Sequence, residues 1–97
     1  MSYQLTPLEV CERLIGPPPR LSEICGLHPK TVFQWRHATK RHAAGDIRFC
    51  SNQRALLKYA RANDIPLHAS WLITGASSGV IDAIKHSNSA KARLAAE

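Results

Sequence analysis

Prolines and glycines divide this 97-residue chain into short segments and exclude any long continuous helix. Three prolines follow Gly16, and a helix cannot continue through them because proline lacks a backbone N–H and its ring clashes with the preceding turn. Further breaks are expected at Gly26, Gly45, Pro66 and Gly75. No segment between these breaks shows the alternation of polar and apolar residues that is typical of a strand. The sequence therefore predicts an all-α fold built from short helices.

Apolar residues recur at helical spacing between the breaks and predict five helices packed into a compact bundle. The predicted helices span residues 7–15, 19–25, 29–37, 52–63 and 69–74. Thr6 and Ser51 are the expected N-caps of the first and fourth helices, because a hydroxyl oxygen accepts one of the free backbone N–H groups there. Residues 76–97 are rich in serine, alanine and lysine, and we expect a partly disordered C-terminal tail with at most a short helix.

The third predicted helix has two different faces. At 100° per residue, Val32 and Trp35 share one face, which is expected to pack in the core. The opposite face is polar and basic but includes one aromatic residue, and its members are Lys30, Phe33, Gln34 and His37. This pattern predicts a helix that is anchored by two apolar residues and presents a polar face to solvent.

Positive charge is concentrated in the middle of the chain. The whole chain has 13 Lys and Arg against 7 Asp and Glu, which gives a formal net charge of +6. Residues 30–61 carry eight basic residues and a single acid, Asp46, so this segment alone has a net charge of +7. A solvated face usually mixes both signs, so the excess favours a surface that binds nucleic-acid phosphates. Its last part is expected to be a solvated ridge on the fourth helix, formed by Arg54, Lys58 and Arg61.

Several functional classes are disfavoured by the pattern of residues. No apolar stretch is long enough to span a membrane and no basic region typical of a signal peptide opens the chain, so we expect a cytoplasmic protein. The three cysteines form no CxxC pair, which argues against a disulfide framework and against a zinc site made by Cys25, His37, His42 and Cys50. No spacing of a catalytic triad and no glycine-rich phosphate loop is present, so we expect neither an enzyme nor a bound cofactor.

Two motifs together resemble one known family. The sequence LSEICGLHPKTVFQWR at residues 21–36 resembles the helix-turn-helix of phage repressor and Cro-like DNA-binding domains, and IPLHASWLITG at residues 65–75 is similar to the closing helix of that family. The resemblance implies a lambda-repressor-like five-helix fold, with residues 1–75 as a helix-turn-helix DNA-binding domain. It also implies a bacterial or phage transcription regulator, a repressor, that binds specific sequences in double-stranded DNA and is associated with the nucleoid.

The exposed face of the third helix assigns roles within this interpretation. Lys30 and Gln34 are expected to reach base edges in the major groove, since lysine donates to guanine and glutamine bonds to adenine. Thr31 is expected to contact a thymine methyl group or a phosphate. Phe33 suits a thymine methyl group, and packing on Arg20 or on a partner subunit is an equal alternative for it. The expected phosphate contacts are His37, Lys40, Arg41 and Arg48, and Arg36 is expected either to join them or to be solvated.

The sequence departs from the family pattern at three places. Ser22 stands where a small alanine is common, and Pro29 opens the third helix where glutamine or serine is usual. Pro18 and Pro19 occupy the start of the second helix and cannot donate the backbone N–H that usually binds a phosphate there. Arg20 is therefore expected to replace that phosphate contact.

Two functions from different classes remain open at this point. The first is a regulator that binds a palindromic operator with its third helix in the major groove, as a homodimer at least on DNA. The alternative is a helix-turn-helix protein-interaction module, such as an antitoxin or an adaptor, in which residues 80–97 hold a partner.

Overall fold

Residues 3–85 are described by the computed structural model, and their secondary structure is mostly helical. In chain order the elements are β1 (Gln4–Leu5), α1 (Pro7–Leu14), α2 (Pro18–Ile24), α3 (Thr31–Gln34), α4 (Cys50–Ala62), α5 (Trp71–Thr74), β2 (Ala76–Ser77) and a sixth helix, α6, over residues 78–85. The expected all-α bundle of five helices is thus corrected by a small sheet, and α6 lies where the sequence allows a short helix in the tail. No helix within residues 3–85 combines the length and the apolar character needed to cross a membrane.

The first two helices begin where the local sequence chemistry predicts. Thr6 caps α1, because its hydroxyl accepts the Glu9 backbone N–H while the Glu9 carboxylate accepts the Thr6 N–H, each at 3.2 Å. Pro7 then occupies the first helical position, where its missing N–H is harmless. α2 begins at Pro18, one residue earlier than predicted, and follows the same rule. Both predicted helices are confirmed to within one residue at each end.

The start of α4 differs from its prediction. Phe49, not Ser51, is the N-cap, and it makes no side-chain capping bond. Asn52 supplies the anchor instead, since its buried side-chain amide donates to the carbonyl oxygen of Arg48 at 2.8 Å. Ser51 lies exposed inside the first turn, so the expected cap is wrong. The sequence identified a residue able to cap, but the bond that holds the start of α4 is the one from Asn52 back to Arg48.

α5 is shorter than predicted because its first turn is tighter than an α-helical turn. The predicted helix covers residues 69–74, whereas the α-helix covers Trp71–Thr74. The backbone N–H groups of Trp71 and Leu72 bond to the carbonyls three residues earlier, at His68 and Ala69. This spacing is that of a 3₁₀ turn, which often opens a short helix. Gly75 ends the helix as predicted, with a positive φ of 74°.

The hydrophobic core consists of two clusters. The larger one collects buried residues from α1 to α5 and from the segment before α4: Leu8, Cys11, Leu21, Val32, Trp35, Ile47, Leu56 and Leu72. The smaller one joins both ends of the described chain and consists of Leu5, Val10, Ala76 and Ile81. The face predicted as core in the third helix, with Val32 and Trp35, is therefore a buried face.

Residues 76–85 pack into the same globule as the rest of the described chain. β1 pairs antiparallel with β2, with Leu5 opposite Ala76, and the Tyr3 N–H donates to the Ser78 hydroxyl at 2.9 Å. Ile81 on α6 is fully buried in the smaller cluster. The expected weak order of the tail is thus corrected over this stretch, and two-residue strands are too short to show alternation in sequence. The remaining part of the predicted tail, residues 86–97, lies outside the described residues.

The close approach at Gly75 makes a testable prediction about stability. A Cβ added to Gly75 would overlap the carbonyl oxygen of Leu5, whereas a Cβ added to Gly26 would meet nothing within 4 Å, although both glycines have positive φ. We expect Gly26→Ala to cost about 1 kcal/mol for its left-handed conformation alone, and Gly75→Ala to cost about 3 kcal/mol or more, since overlap is added. Urea unfolding followed by circular dichroism measures both values. Equal losses would contradict the described contact between β1 and Gly75.

The three cysteines are free thiols in different environments, since Cys11 is buried, Cys25 is half-buried and Cys50 is exposed. Burial raises the pKa of the Cys11 thiol from 9.0 to about 12, with a smaller contribution from Cys25. Burial also raises the pKa of Cys25. Of the three thiols, Cys11 is therefore the most strongly stabilised in its neutral form.

The raised pKa of Cys11 predicts a loss of stability in alkaline solution. The unfolded thiol ionises near 9.0 and the folded thiol near 12, so the stabilisation is complete below pH 9 and is lost as the pH rises toward 12. We expect the unfolding free energy of the wild type to fall more steeply between pH 9 and pH 11 than that of Cys11→Ala. The difference in slope is up to about 1.4 kcal/mol per pH unit. Parallel slopes for the two proteins would show that Cys11 ionises as readily in the folded chain as in the unfolded one.

Candidate nucleic-acid interface

The turn between α2 and α3 is fixed by a buried serine. Ser22 on α2 is 0% exposed, and its hydroxyl accepts the Val32 backbone N–H at 3.1 Å and donates to the carbonyl oxygen of Pro29 at 3.3 Å. Gly26, with φ at +71°, reverses the chain just after α2. The small side chain of Ser22 thus lets α3 pass close to α2. Its hydroxyl also satisfies two backbone groups, the Val32 N–H in α3 and the Pro29 carbonyl just before α3.

α3 contains a single α-helical turn, Thr31–Gln34, rather than the predicted helix over residues 29–37. On either side the backbone continues in tighter turns, in which the N–H groups of Thr31, Trp35, Arg36 and His37 bond to the carbonyl three residues earlier. Pro29 cannot donate, and the Lys30 N–H bonds to His28 Nδ1 at 3.2 Å instead. His28 therefore serves as a turn residue, and the helical direction persists although the α-helix itself is short.

The two faces predicted for α3 are confirmed. Val32 is 0% exposed and Trp35 is 3% exposed, and both belong to the larger core cluster. The opposite face is exposed at each of its four predicted members, which are Lys30, Phe33, Gln34 and His37. Thr31 is half-buried at the edge between the two faces. The structure thus brings the predicted base-contacting residues together on one solvent-facing surface.

The segment after α3 is bound to the C-terminal end of that helix. The Gly45 N–H donates to the Trp35 carbonyl at 2.7 Å, and the Gly45 carbonyl accepts the Leu8 N–H at 2.9 Å. Arg48 Nη2 donates to the carbonyl oxygen of His37 at 3.2 Å. Because these bonds tie both ends of the segment to α1 and α3, residues 38–44 form a loop with a fixed position beside α3.

This loop presents cations that form no ion pair with any of residues 3–85. Lys40 and Arg41 are exposed, and the Thr39 hydroxyl holds the turn by accepting the Arg41 and His42 N–H groups at 3.3 and 3.1 Å. Three ion pairs are found among residues 3–85, and they involve Arg13, Arg20 and Arg36. The predicted DNA-contacting cations outside those pairs are Lys30, Lys40, Arg41 and Arg48.

The side chain of Arg20 is partly exposed and bonds to two other side chains of the protein. Its guanidinium donates to Glu23 and to the Tyr59 hydroxyl, each at 2.9 Å, and lies over the Tyr59 ring. The hydrogen bond to Tyr59 is the largest cause that raises the pKa of the Arg20 guanidinium. Electrostatic interactions with Tyr59 and then with Glu23 raise the pKa of Arg20 further. Arg20 therefore links α2 to α4, and contact with a phosphate would add to these internal bonds or replace them.

Phe49 is a residue that the sequence does not indicate. It is 69% exposed and has a φ of +66°, and its ring centroid lies 6.1 Å from that of His42 in an edge-to-face arrangement. A positive φ is unusual and strained for a bulky residue, and strained backbone is frequent at binding sites. Neither Phe49 nor the other phenylalanine, Phe33, is buried, and both lie beside basic side chains.

A ridge of cations on α4 forms a separate surface. Arg54, Lys58 and Arg61 line a shallow groove with Leu57 between them. All three are exposed, as the sequence predicts for a solvated ridge. Within residues 3–85, no group of three or more His, Cys, Asp or Glu side chains lies close enough to hold a metal ion.

Comparison with known proteins finds no family model, no curated protein and no solved structure that matches this chain. The functional inference therefore depends on the geometry of α2, the Gly26 turn, α3 and the cationic loop.

The Ser22 hydroxyl predicts how strongly the turn between α2 and α3 is held. Ser22→Ala leaves the buried N–H of Val32 without its partner, so we expect a loss of about 2 kcal/mol in unfolding free energy. Ser51→Ala is the matched control, because Ser51 is exposed and does not cap α4, and we expect a change below about 0.5 kcal/mol. Chemical denaturation measures both. A larger loss at Ser51 than at Ser22 would contradict both assignments.

Proposed function

We propose that this chain is a sequence-specific double-stranded DNA-binding transcription regulator, a repressor, in which α2, the Gly26 turn and α3 act as a helix-turn-helix. One observation carries the proposal. α3 is anchored by Val32 and Trp35, is clamped to α2 by Ser22, and presents a polar face beside a cationic loop. A helix held by its inner face and exposed along its outer face fits the major groove, which is about 12 Å wide.

Base recognition belongs to the exposed face of α3 in this proposal. Lys30 and Gln34 are exposed and have no hydrogen bond from their side chains to the rest of the described chain. A lysine ammonium donates to guanine O6 and N7, and a glutamine amide bonds to adenine N6 and N7. We assign to Thr31, half-buried at the edge of the same face, a contact with a thymine methyl group or the flanking phosphate.

Phosphate contacts belong to the loop and to the residues that flank it. Lys40 and Arg41 carry positive charge with no ion pair within residues 3–85. His37 precedes the loop and Arg48 follows it, and the Arg48 side chain donates a hydrogen bond to the His37 carbonyl oxygen. Cations of this kind fix the position of a protein on the duplex without reading its sequence. The release of counterions from DNA then makes the affinity depend strongly on salt.

The short α3 supports a homodimer on a palindromic operator. One α-helical turn with two base-reading side chains contacts few base pairs, and each good bidentate contact contributes about 1–3 kcal/mol of discrimination. Two copies on half-sites about one helical turn apart would double those contacts. We therefore propose that the protein dimerises at least on DNA, in the bacterial cytoplasm.

DNA binding is tested by selection from a random 30-base-pair duplex library, followed by affinity measurements at several salt concentrations. We expect one enriched sequence and a steep fall of affinity with salt. Gln34→Ala should flatten the preference among sequences, because a base contact is removed. Arg41→Gln should weaken binding to all sequences alike and reduce the salt slope by about one charge, because a phosphate contact is removed.

Arg61→Gln is the matched control for Arg41→Gln, because it removes the same charge from the α4 ridge. We expect it to change the affinity much less than Arg41→Gln. Equal effects of the two variants would contradict the assignment of phosphate binding to the loop. Failure to enrich any sequence, together with stable binding of a protein partner that persists without Lys30 and Gln34, would instead support the interaction module.

A further inference from the structure

Phe33 lies on the exposed face of α3, and the Arg36 guanidinium packs against its ring. The ring is 49% exposed, and the guanidinium carbon of Arg36 lies 4.7 Å from its centroid. A planar guanidinium stacked on a ring covers one face of it and leaves the rest accessible. Of the two alternatives weighed for this side chain, packing on Arg20 does not occur, since Arg20 stacks on Tyr59.

Arg36 is in turn held by Glu12 on α1. Arg36 Nε and Nη2 both lie 3.1 Å from Glu12 Oε1. The Glu12 side chain is the more buried partner, at 22% exposed against 43% for Arg36. Two of the five N–H donors of the Arg36 guanidinium are directed at Glu12, and the same group lies over the Phe33 ring, so Arg36 connects Glu12 to Phe33. A continuous set of contacts thus runs from α1 to the exposed ring.

The neighbours of Phe33 on the same face define what its ring meets. Lys30 and Gln34, the proposed base-reading residues, flank it in sequence and share its exposed face. Base edges in the major groove are polar except for one group, the C5 methyl of a pyrimidine, which only thymine carries in unmodified DNA. An apolar ring edge at this place gains free energy by burying that methyl group and gains little from any other base.

We propose that Phe33 reads a thymine methyl group, and that Arg36 and Glu12 are positioning residues that hold its ring in place. This inference rests on the proposed DNA-binding function and specifies one base type in the operator. It assigns to Glu12, which lies outside α2 and α3, a part in sequence recognition. It also assigns to Arg36 a structural contact in place of either a phosphate contact or a solvated position.

The experiment compares thymine with uracil, which differ only by the methyl group. The duplex enriched from the random library is synthesised with thymine, and again with deoxyuridine at one thymine position at a time. For the wild type we expect about fourfold weaker binding at the contacted position, the value for burial of one methyl group. Uracil at the other positions should leave the affinity within twofold, apart from the symmetric position in a palindrome and any thymine that Thr31 contacts.

Variants then assign the effect to Phe33. Phe33→Ala should bind the thymine and uracil duplexes equally at that position, whereas Phe33→Leu should keep part of the preference because it keeps an apolar edge. Ile73→Ala is the control, since it removes an exposed apolar side chain on α5, outside the proposed DNA-binding surface, and it should leave the ratio at about fourfold. If Phe33→Ala binds too weakly to measure, the Phe33→Leu ratio and the single-position wild-type data still decide the outcome.

Further variants test the positioning role. Arg36→Lys keeps the charge but loses the planar stack, so we expect it to lower the thymine-to-uracil ratio without changing the salt slope. Glu12→Gln should lower the same thymine-to-uracil ratio, because a neutral amide bonds to the Arg36 guanidinium more weakly than the carboxylate does. A salt slope reduced by Arg36→Gln with an unchanged ratio would show a phosphate contact and overturn the positioning role.

The outcomes separate this inference from the proposed function. A protein that enriches no sequence contradicts the proposed function itself. A protein that enriches a sequence but binds the thymine and uracil duplexes equally at every position overturns only the role of Phe33. Full discrimination by Phe33→Ala overturns it as well, because another residue must then contact the methyl group.

Discussion

The buried hydroxyl of Ser22 is the contact on which the presentation of α3 depends. It accepts the Val32 N–H and donates to the Pro29 carbonyl, so one atom fixes both the end of the turn and the start of the helix. The cost of leaving a buried donor unpaired is high, which makes the arrangement hard to vary. Since α3 is only one α-helical turn long, its direction is set by this bond and by the core contacts of Val32 and Trp35 rather than by its own length.

A second constraint joins the two ends of the described chain. β1 and β2 pair through two residues each, Gly75 lies against the Leu5 carbonyl, and Arg13 on α1 pairs with Asp82 on α6 at 3.1 Å. These contacts hold α1 in place. α1 carries Glu12, which bonds to Arg36, and Leu8, whose backbone N–H donates to the Gly45 carbonyl. The position of the proposed DNA-binding surface therefore depends on packing on the far side of α1.

The distribution of ion pairs divides the positive charge into two kinds. Arg13, Arg20 and Arg36 each pair with a carboxylate and connect helices or support a ring. The loop after α3 carries Lys40 and Arg41, both exposed and outside those pairs. Net charge alone does not distinguish these kinds, because a paired arginine and an unpaired one count the same in the sequence.

The sequence by itself determined the features that depend on neighbouring residues. These are the capped start of α1 at Thr6, the glycine turn after α2, and the buried face of α3, since each follows from backbone chemistry or helical period over a few positions. Tertiary structure alone decided the rest: the pairing of Tyr3 with Ser78 across 75 positions, and the Glu12–Arg36 contact across 24. Such contacts join residues far apart in the chain, so their energy exists only after the helices have packed. No local pattern of charge or hydrophobicity records them.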